Sequence, residues 1–175
     1  MTTASVPQIV TFRLGDDLFA ADIFAVERVL RYRPPTPLPN VPAWIDGVIE
    51  YGDRVVPVLD MRSRFGMPVV EPGPLTRTLV LNVGGEWIAA VVDAVLEVTT
   101  LVAGQIAPPP PLFRGLSAEY LRGIVRHGDR LLIFLDVERL LSSNERLSIE
   151  QAVDERLIIE RSTEEVLPED PREDA

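Results

Sequence analysis

The chain has no cysteine, one histidine and, since all 17 of its basic residues are arginine, no lysine. These absences exclude thiol nucleophiles, disulfides and thiolate metal sites, and with them Schiff-base chemistry and any P-loop lysine. No apolar run approaches the roughly 20 residues of a membrane-spanning helix. The N-terminal MTTASVPQ also lacks the basic-then-apolar pattern of a leader peptide. Direct membrane insertion is therefore not expected, and the chain reads as cytoplasmic. Clustered positive charge is lacking too. Of the formal net charge of −10, −7 falls from Glu145 onward, where eleven acids face four arginines. Nucleic acid and anionic lipid are poor partners for such a chain, because phosphate binding rests on clustered Lys and Arg. His127 sits beside Gly128 in a turn, without a matched acid or base, and reads as an exposed turn residue.

What the chain does have is a repeat. WIDGVIEYGDRVVPVLDMRSRF, residues 44–65, recurs 76 residues later without a gap as YLRGIVRHGDRLLIFLDVERLL, residues 120–141. Gly47 matches Gly123, Gly52 matches Gly128, and Asp60 matches Asp136. Each copy reads as short strand, tight turn, long strand and short helix. The Gly-Asp pairs supply the positive φ that a hairpin turn needs, and aliphatic residues flank them. Val55–Leu59 and Leu131–Leu135 are nearly continuous apolar runs, as in strands buried on both faces of a small barrel. Asp60 and Asp136 stand at N-cap positions ahead of a short helix, so the six matched glycines and aspartates read as structural turns and caps rather than as a catalytic carboxylate pair.

A second unit also recurs. Phe12–Val29 matches Leu81–Val98 at an offset of 69, hairpin glycines Gly15 and Gly84 included. The order of units is thus A, B, A, B, and 46% apolar composition is ample for the core of such a duplicated domain. Spacing by three in Ile23, Val26, Val29 and in Val92, Val95, Val98 breaks strict strand alternation. It predicts a bend or bulge that sends some of these side chains off the core face. Core burial and a two-sided apolar groove for a partner helix both remain open for them. The proline-rich stretches 30–43 and 101–119 cannot be central strands or helices. Ser142-Ser143-Asn144 can cap a helix over 145–163, and the acidic, proline-broken segment 164–175 reads as disordered.

NVPAWIDGVIEYGDRVVPVLDMRSRFG, with VVDAVLEV, a proline-rich stretch and YLRGIVRHGDRLLIFLDVERLLS after it, resembles the CheW-like domain family over about 8–144. The resemblance implies a mainly β fold. In it, two SH3-like five-stranded barrels arise from duplicated halves of about 8–70 and 75–144, after a flexible N-terminus of residues 1–7. It also implies a non-enzymatic adaptor of bacterial chemotaxis with no catalytic residue, cofactor or metal. Its partners would be the cytoplasmic tip of a chemoreceptor and the regulatory domain of the histidine kinase CheA. Carried over by position, Ile23, Val26, Arg28, Val29, Ala89, Val95 and Val98 would line the receptor groove, and Phe113 would lie near the kinase contact. The family commonly pairs a Glu with an Arg beside the groove; here Arg28 and Gly52 stand in their places. A reversed ion pair, Arg28 with Glu50 or Asp53, is the expectation that follows. An accessory or linker that joins kinase or array without ordinary receptor contacts is the alternative role, and an enzyme the alternative from another class.

Overall fold

The computed structural model describes residues 7–164 apart from 103 and 114, with side chains as far as residue 157. In chain order its strands are β1 (Gln8–Leu14), β2 (Asp17–Asp22), β3 (Val26–Arg31), β4 (Ile45–Tyr51) and β5 (Arg54–Asp60), followed by the short helix α1 (Met61–Arg64). Then come β6 (Arg77–Val83), β7 (Glu86–Val92), β8 (Ala94–Thr100), β9 (Ile106–Ala107), β10 (Leu112–Phe113), β11 (Leu116–Ser117), β12 (Leu121–His127), β13 (Arg130–Leu135) and the helix α2 (Ser143–Glu164). The fold is mainly β. Gly15, Gly52, Gly84 and Gly128 turn the hairpins of the four repeat units at φ of 60–62°, so Gly52 and Gly128 hold the turn positions expected of them.

The two sheets do not follow the two halves of the sequence. The six-stranded sheet runs β8-β1-β2-β13-β12-β9 and the five-stranded one β3-β6-β7-β5-β4. Each A hairpin thus pairs with the B hairpin of the other repeat, β2 in parallel with β13 and β5 in parallel with β7. The expected barrels of about 8–70 and 75–144 are corrected accordingly: β1 and β2 leave the first half for the second, and β6 and β7 leave the second half for the first. The cause lies in the third strand of each A unit. After β2 the chain turns through the 3-10 segment Ile23–Ala25 and becomes β3, an edge of the five-stranded sheet. After β7 it passes Asp93 and returns as β8, an edge of the six-stranded sheet.

Each sheet is brought round by the proline-rich stretch that follows its edge strand. Past β3, Thr36 bridges to Val48 of β4 with two backbone hydrogen bonds of 2.9 Å. Past β8, β9 pairs with β12. The matched glycines Gly47 and Gly123 lie under these crossings. A Cβ on Gly47 would stand 2.0 Å from the Thr36 carbonyl oxygen, and one on Gly123 would stand 2.6 Å from that of Ala107. Both sit at register shifts within their strands, so they are bulge and crossing residues rather than turn residues.

The largest core belongs to both sheets. Phe12, Leu14, Phe19 and Leu135 from one meet Leu59, Leu79, Leu81 and Ile88 from the other. Each sheet also has a core of its own, Ile9, Ala20, Val125, Leu132 and Phe134 in the first and Val56, Val58 and Ala89 in the second. Along β13, Leu132 and Phe134 serve one core while Ile133 and Leu135 serve the other, which is why its apolar run is unbroken. Helix α2 begins with a capping box. Ser142 Oγ accepts from the Glu145 amide and Glu145 Oε2 from the Ser142 amide, at 3.2 and 2.7 Å. The helix then lays Ile149 and Val153 on the shared core.

Candidate partner-binding groove

The edge strands β3 and β8 are each hydrogen-bonded to a single neighbour, β6 and β1 respectively. Both carry a bulge at the same repeat position, Glu27 in one and Leu96 in the other. The extra residue resets the alternation, so side chains three apart share a face, as the sequence spacing predicts. Val26 and Val29 lie opposite Leu81 and Leu79, and Val95 and Val98 opposite Phe12 and Val10. All four valines therefore occupy the strand faces turned toward the shared core. Val26 and Val95 are half-buried against that core. Val29 and Val98 are exposed, at 41% and 55%, as is the bulge residue Leu96 of β8, at 50%. An exposed aliphatic row of this kind, repeated on two edge strands, is suited to anchoring a helix by a few apolar contacts.

Other expected groove residues fall elsewhere. Ile23 is half-buried in the 3-10 crossing, beside Phe24, whose ring is 87% exposed. Ala89 is fully buried with Val56 and Val58 and cannot reach a partner; its position in the central strand β7 decides this. Arg28 lies opposite Val80, one residue out of step with the valines, so it leaves the groove face. It forms no ion pair with Glu50 or Asp53, and its guanidinium lies 6.0 Å from the centre of the Tyr51 ring. The reversed pair is thus corrected: the arginine meets the ring face presented by the β4–β5 hairpin, not a carboxylate. Phe113 is half-buried against the shared core, while its neighbour Leu112 in the β10–β11 hairpin is exposed, at 66%.

Charge at the junction of the sheets is organised around Asp93. Its carboxylate accepts from the Gly15 amide at 2.7 Å and from the guanidinium of Arg62 in α1. Burial acts to raise the Asp93 pKa, but the bonds from Arg62 and Gly15 outweigh it and hold the group below its ordinary range. Asp60 caps α1, accepting from the amides of Arg62 and Ser63 at 3.0 and 3.4 Å. Beside it, Asp46 is pushed up to about 6 by burial and then by the charge of Asp60. These groups line an open cavity of about 450 Å³ with Tyr32, Thr76 and Val91. Asp136 departs from expectation. It precedes a 3-10 turn, Val137–Arg139, and makes no capping bond; its carboxylate instead lies 3.4 Å from Arg139 Nε.

Residues 8–145 match the family model described as the CheW-like domain. The chain belongs to the CheW-like domain family. It is 31% identical to the chemotaxis protein CheW of Treponema pallidum over 142 residues, covering 79% of this chain and 84% of that one. It is 37% identical to the chemotaxis protein CheW of Klebsiella aerogenes over 138 residues, 79% of this chain and 83% of that one. Among solved structures, the scaffolding protein TtCheW from Thermoanaerobacter tengcongensis aligns with a TM-score of 0.75 at 28% identity, over 82% of this chain and 93% of that one. As a member of this family the chain is a non-enzymatic scaffold of chemotaxis signalling. Among the described residues no helix is long and apolar enough to cross a membrane.

Two features escaped the sequence reading. One is the crossing of a closing segment over Gly47 and Gly123, for which the two matched glycines, each five residues before a turn glycine, were the available signal. The other is the exposure of Phe24 and Leu96, which no periodicity marks, because both stand at breaks in strand pairing.

Proposed function

We propose that this chain is a cytoplasmic adaptor that couples a chemoreceptor to the histidine kinase CheA. The receptor's helical tip would lie along Val26, Val29, Val95 and Val98, and the regulatory domain of the kinase would dock at a barrel end. One observation carries the reading: the two repeats place equivalent bulges on two edge strands, and each bulge aims one half-buried and one exposed valine the same way. An apolar row that is duplicated in this manner serves a partner better than it serves the fold, since Val29 and Val98 contribute little to the core.

The test is binding of receptor-tip and kinase fragments to Val29→Asp and Val98→Asp. Each should weaken receptor binding by about 2 kcal/mol or more, because a valine contact of about 1.5 kcal/mol is lost and a carboxylate is desolvated, while kinase binding and thermal stability hold. Unchanged receptor affinity with kinase binding intact would favour the second reading, an accessory that joins kinase without ordinary receptor contacts. Arg28 supports that reading, since it turns away from the groove and lacks an acidic partner. Phe113 would act in kinase binding through the hairpin it anchors, with Leu112 as the touching residue.

A further inference from the structure

The open end of the five-stranded sheet carries positive charge that the fold leaves uncompensated. Arg28 lies 6.0 Å from the centre of the Tyr51 ring, Tyr51 stands 5.2 Å from Trp87, and Arg54 lies 4.4 Å over the Trp87 ring. Arg31 and Arg33 line a cavity of about 400 Å³ with Tyr51 and Gly52. Among the described residues none of these four arginines is within ion-pair distance of a carboxylate, although Glu50 lines the same cavity and Asp53 is in the adjoining turn. By contrast, Arg62, Arg64, Arg122 and Arg139 are each paired with an acid. In a chain of net charge −10, four adjacent free arginines around two aromatic faces form an acceptor for carboxylates.

We propose that the occupant is the chain's own C-terminal segment, residues 164–175. It carries Glu164, Glu165, Glu169, Asp170, Glu173 and Asp174 against the single Arg172. Helix α2 delivers it to the right place. Leu157 lines one cavity with Asp53, Arg54 and Trp87, and the Arg156 guanidinium donates to the Pro37 carbonyl oxygen, four residues past Arg33. From Leu157 to Glu164 the helix advances only about 10 Å, whereas the eleven residues beyond it span up to about 35–40 Å when extended. The segment therefore reaches back to the rim with length to spare. Of the other described arginines without a carboxylate partner, Arg77 and Arg146 are taken up by backbone carbonyls, and Arg13, Arg126 and Arg130 are on strands of the six-stranded sheet. Tethering gives the acids an effective concentration in the millimolar range, so a weak, salt-sensitive contact becomes substantially populated. The segment then screens the rim until a partner with stronger contacts displaces it.

The test uses Trp87 as reporter in full-length protein carrying Trp44→Phe, with iodide as an anionic quencher and acrylamide as a neutral one. Replacing Glu165, Glu169, Asp170, Glu173 and Asp174 by their amides should raise iodide quenching roughly two-fold at low salt, as expected from loss of a half-populated contact. The increase should vanish near 0.5 M salt, where the screening length is a few Å, and should be largely absent when Arg31→Gln and Arg33→Gln are already present. Equal quenching before and after neutralisation overturns the proposal. So does an increase that ignores the rim substitutions, which would mean an undocked segment acting at long range. An effect that grows with protein concentration also overturns it, by assigning the acids to the rim of a second copy.

Discussion

In the first copy of the repeated hairpin Asp60 caps a true helical turn, while 76 residues later Asp136, preceded by the same leucine, makes no capping bond and turns to Arg139. The neighbours differ, not the pattern. Two residues past the aspartate the first copy has Arg62, which Asp93 draws across the junction; the second has Glu138, whose carbonyl accepts from Arg146 of α2 at 2.8 Å. Asp46, likewise, is held near Asp60, whereas its counterpart Arg122 sits 3.5 Å from Asp22. A duplicated sequence thus sets up two equivalent frames, and the junctions between the frames are filled by different chemistry, helix α1 at one and helix α2 at the other.

Four measurements test how far the two frames differ. The largest effect is expected at the crossings. Gly47→Ala places a Cβ 2.0 Å from a backbone oxygen at φ 146°, and should cost about 3 kcal/mol or more in denaturant unfolding. Gly123→Ala meets Ile106 and Ala107 at 2.5 and 2.6 Å without a positive φ and should cost about 1–3 kcal/mol. Equal, small losses would mean that the closing segments are easily moved. At the first junction Arg62→Ala should cost about 2 kcal/mol at pH 7, the scale of a hydrogen bond to a charged group. Because the folded pKa of Asp93 is depressed, that stability is present above about pH 4 and is lost as pH falls through the folded value. Melting curves of variant and parent should therefore converge in acid.

The caps come next. Asp60→Ala should lose about 1 kcal/mol and Asp136→Ala less than about 0.5 kcal/mol; equal losses would erase the distinction between the two turns. The smallest effect belongs to Asp46→Asn. A carboxyl raised to about 6 binds protons more tightly when folded, so its charge destabilises the fold above that pH. The variant should melt about 2–4 °C higher at pH 7, as for about 1 kcal/mol after solvent screening, with the gain gone below about pH 4. A gain that persists in acid would assign the effect to packing.

The repeat units are legible from local sequence alone. The turn glycines, the apolar runs of β5 and β13 and the capping position of Asp60 all follow from local rules, because positive φ, strand periodicity and an orphan amide are satisfied within a few residues. The spacing by three in Val26, Val29, Val95 and Val98 also announced the bulges. Which hairpin joins which sheet is a matter of long-range packing, since β2 pairing with β13 rather than β5 depends on where the chain goes after Asp22, and both choices bury the same alternating faces. Such packing decides as well that Ala89 is core while Val98 is open, although both recur in register between the repeats. The physical reason is common to these cases. Side-chain type and spacing specify which face of a strand is apolar, but whether that face meets a second sheet or solvent depends on the strand being central, like β7, or an edge, like β8.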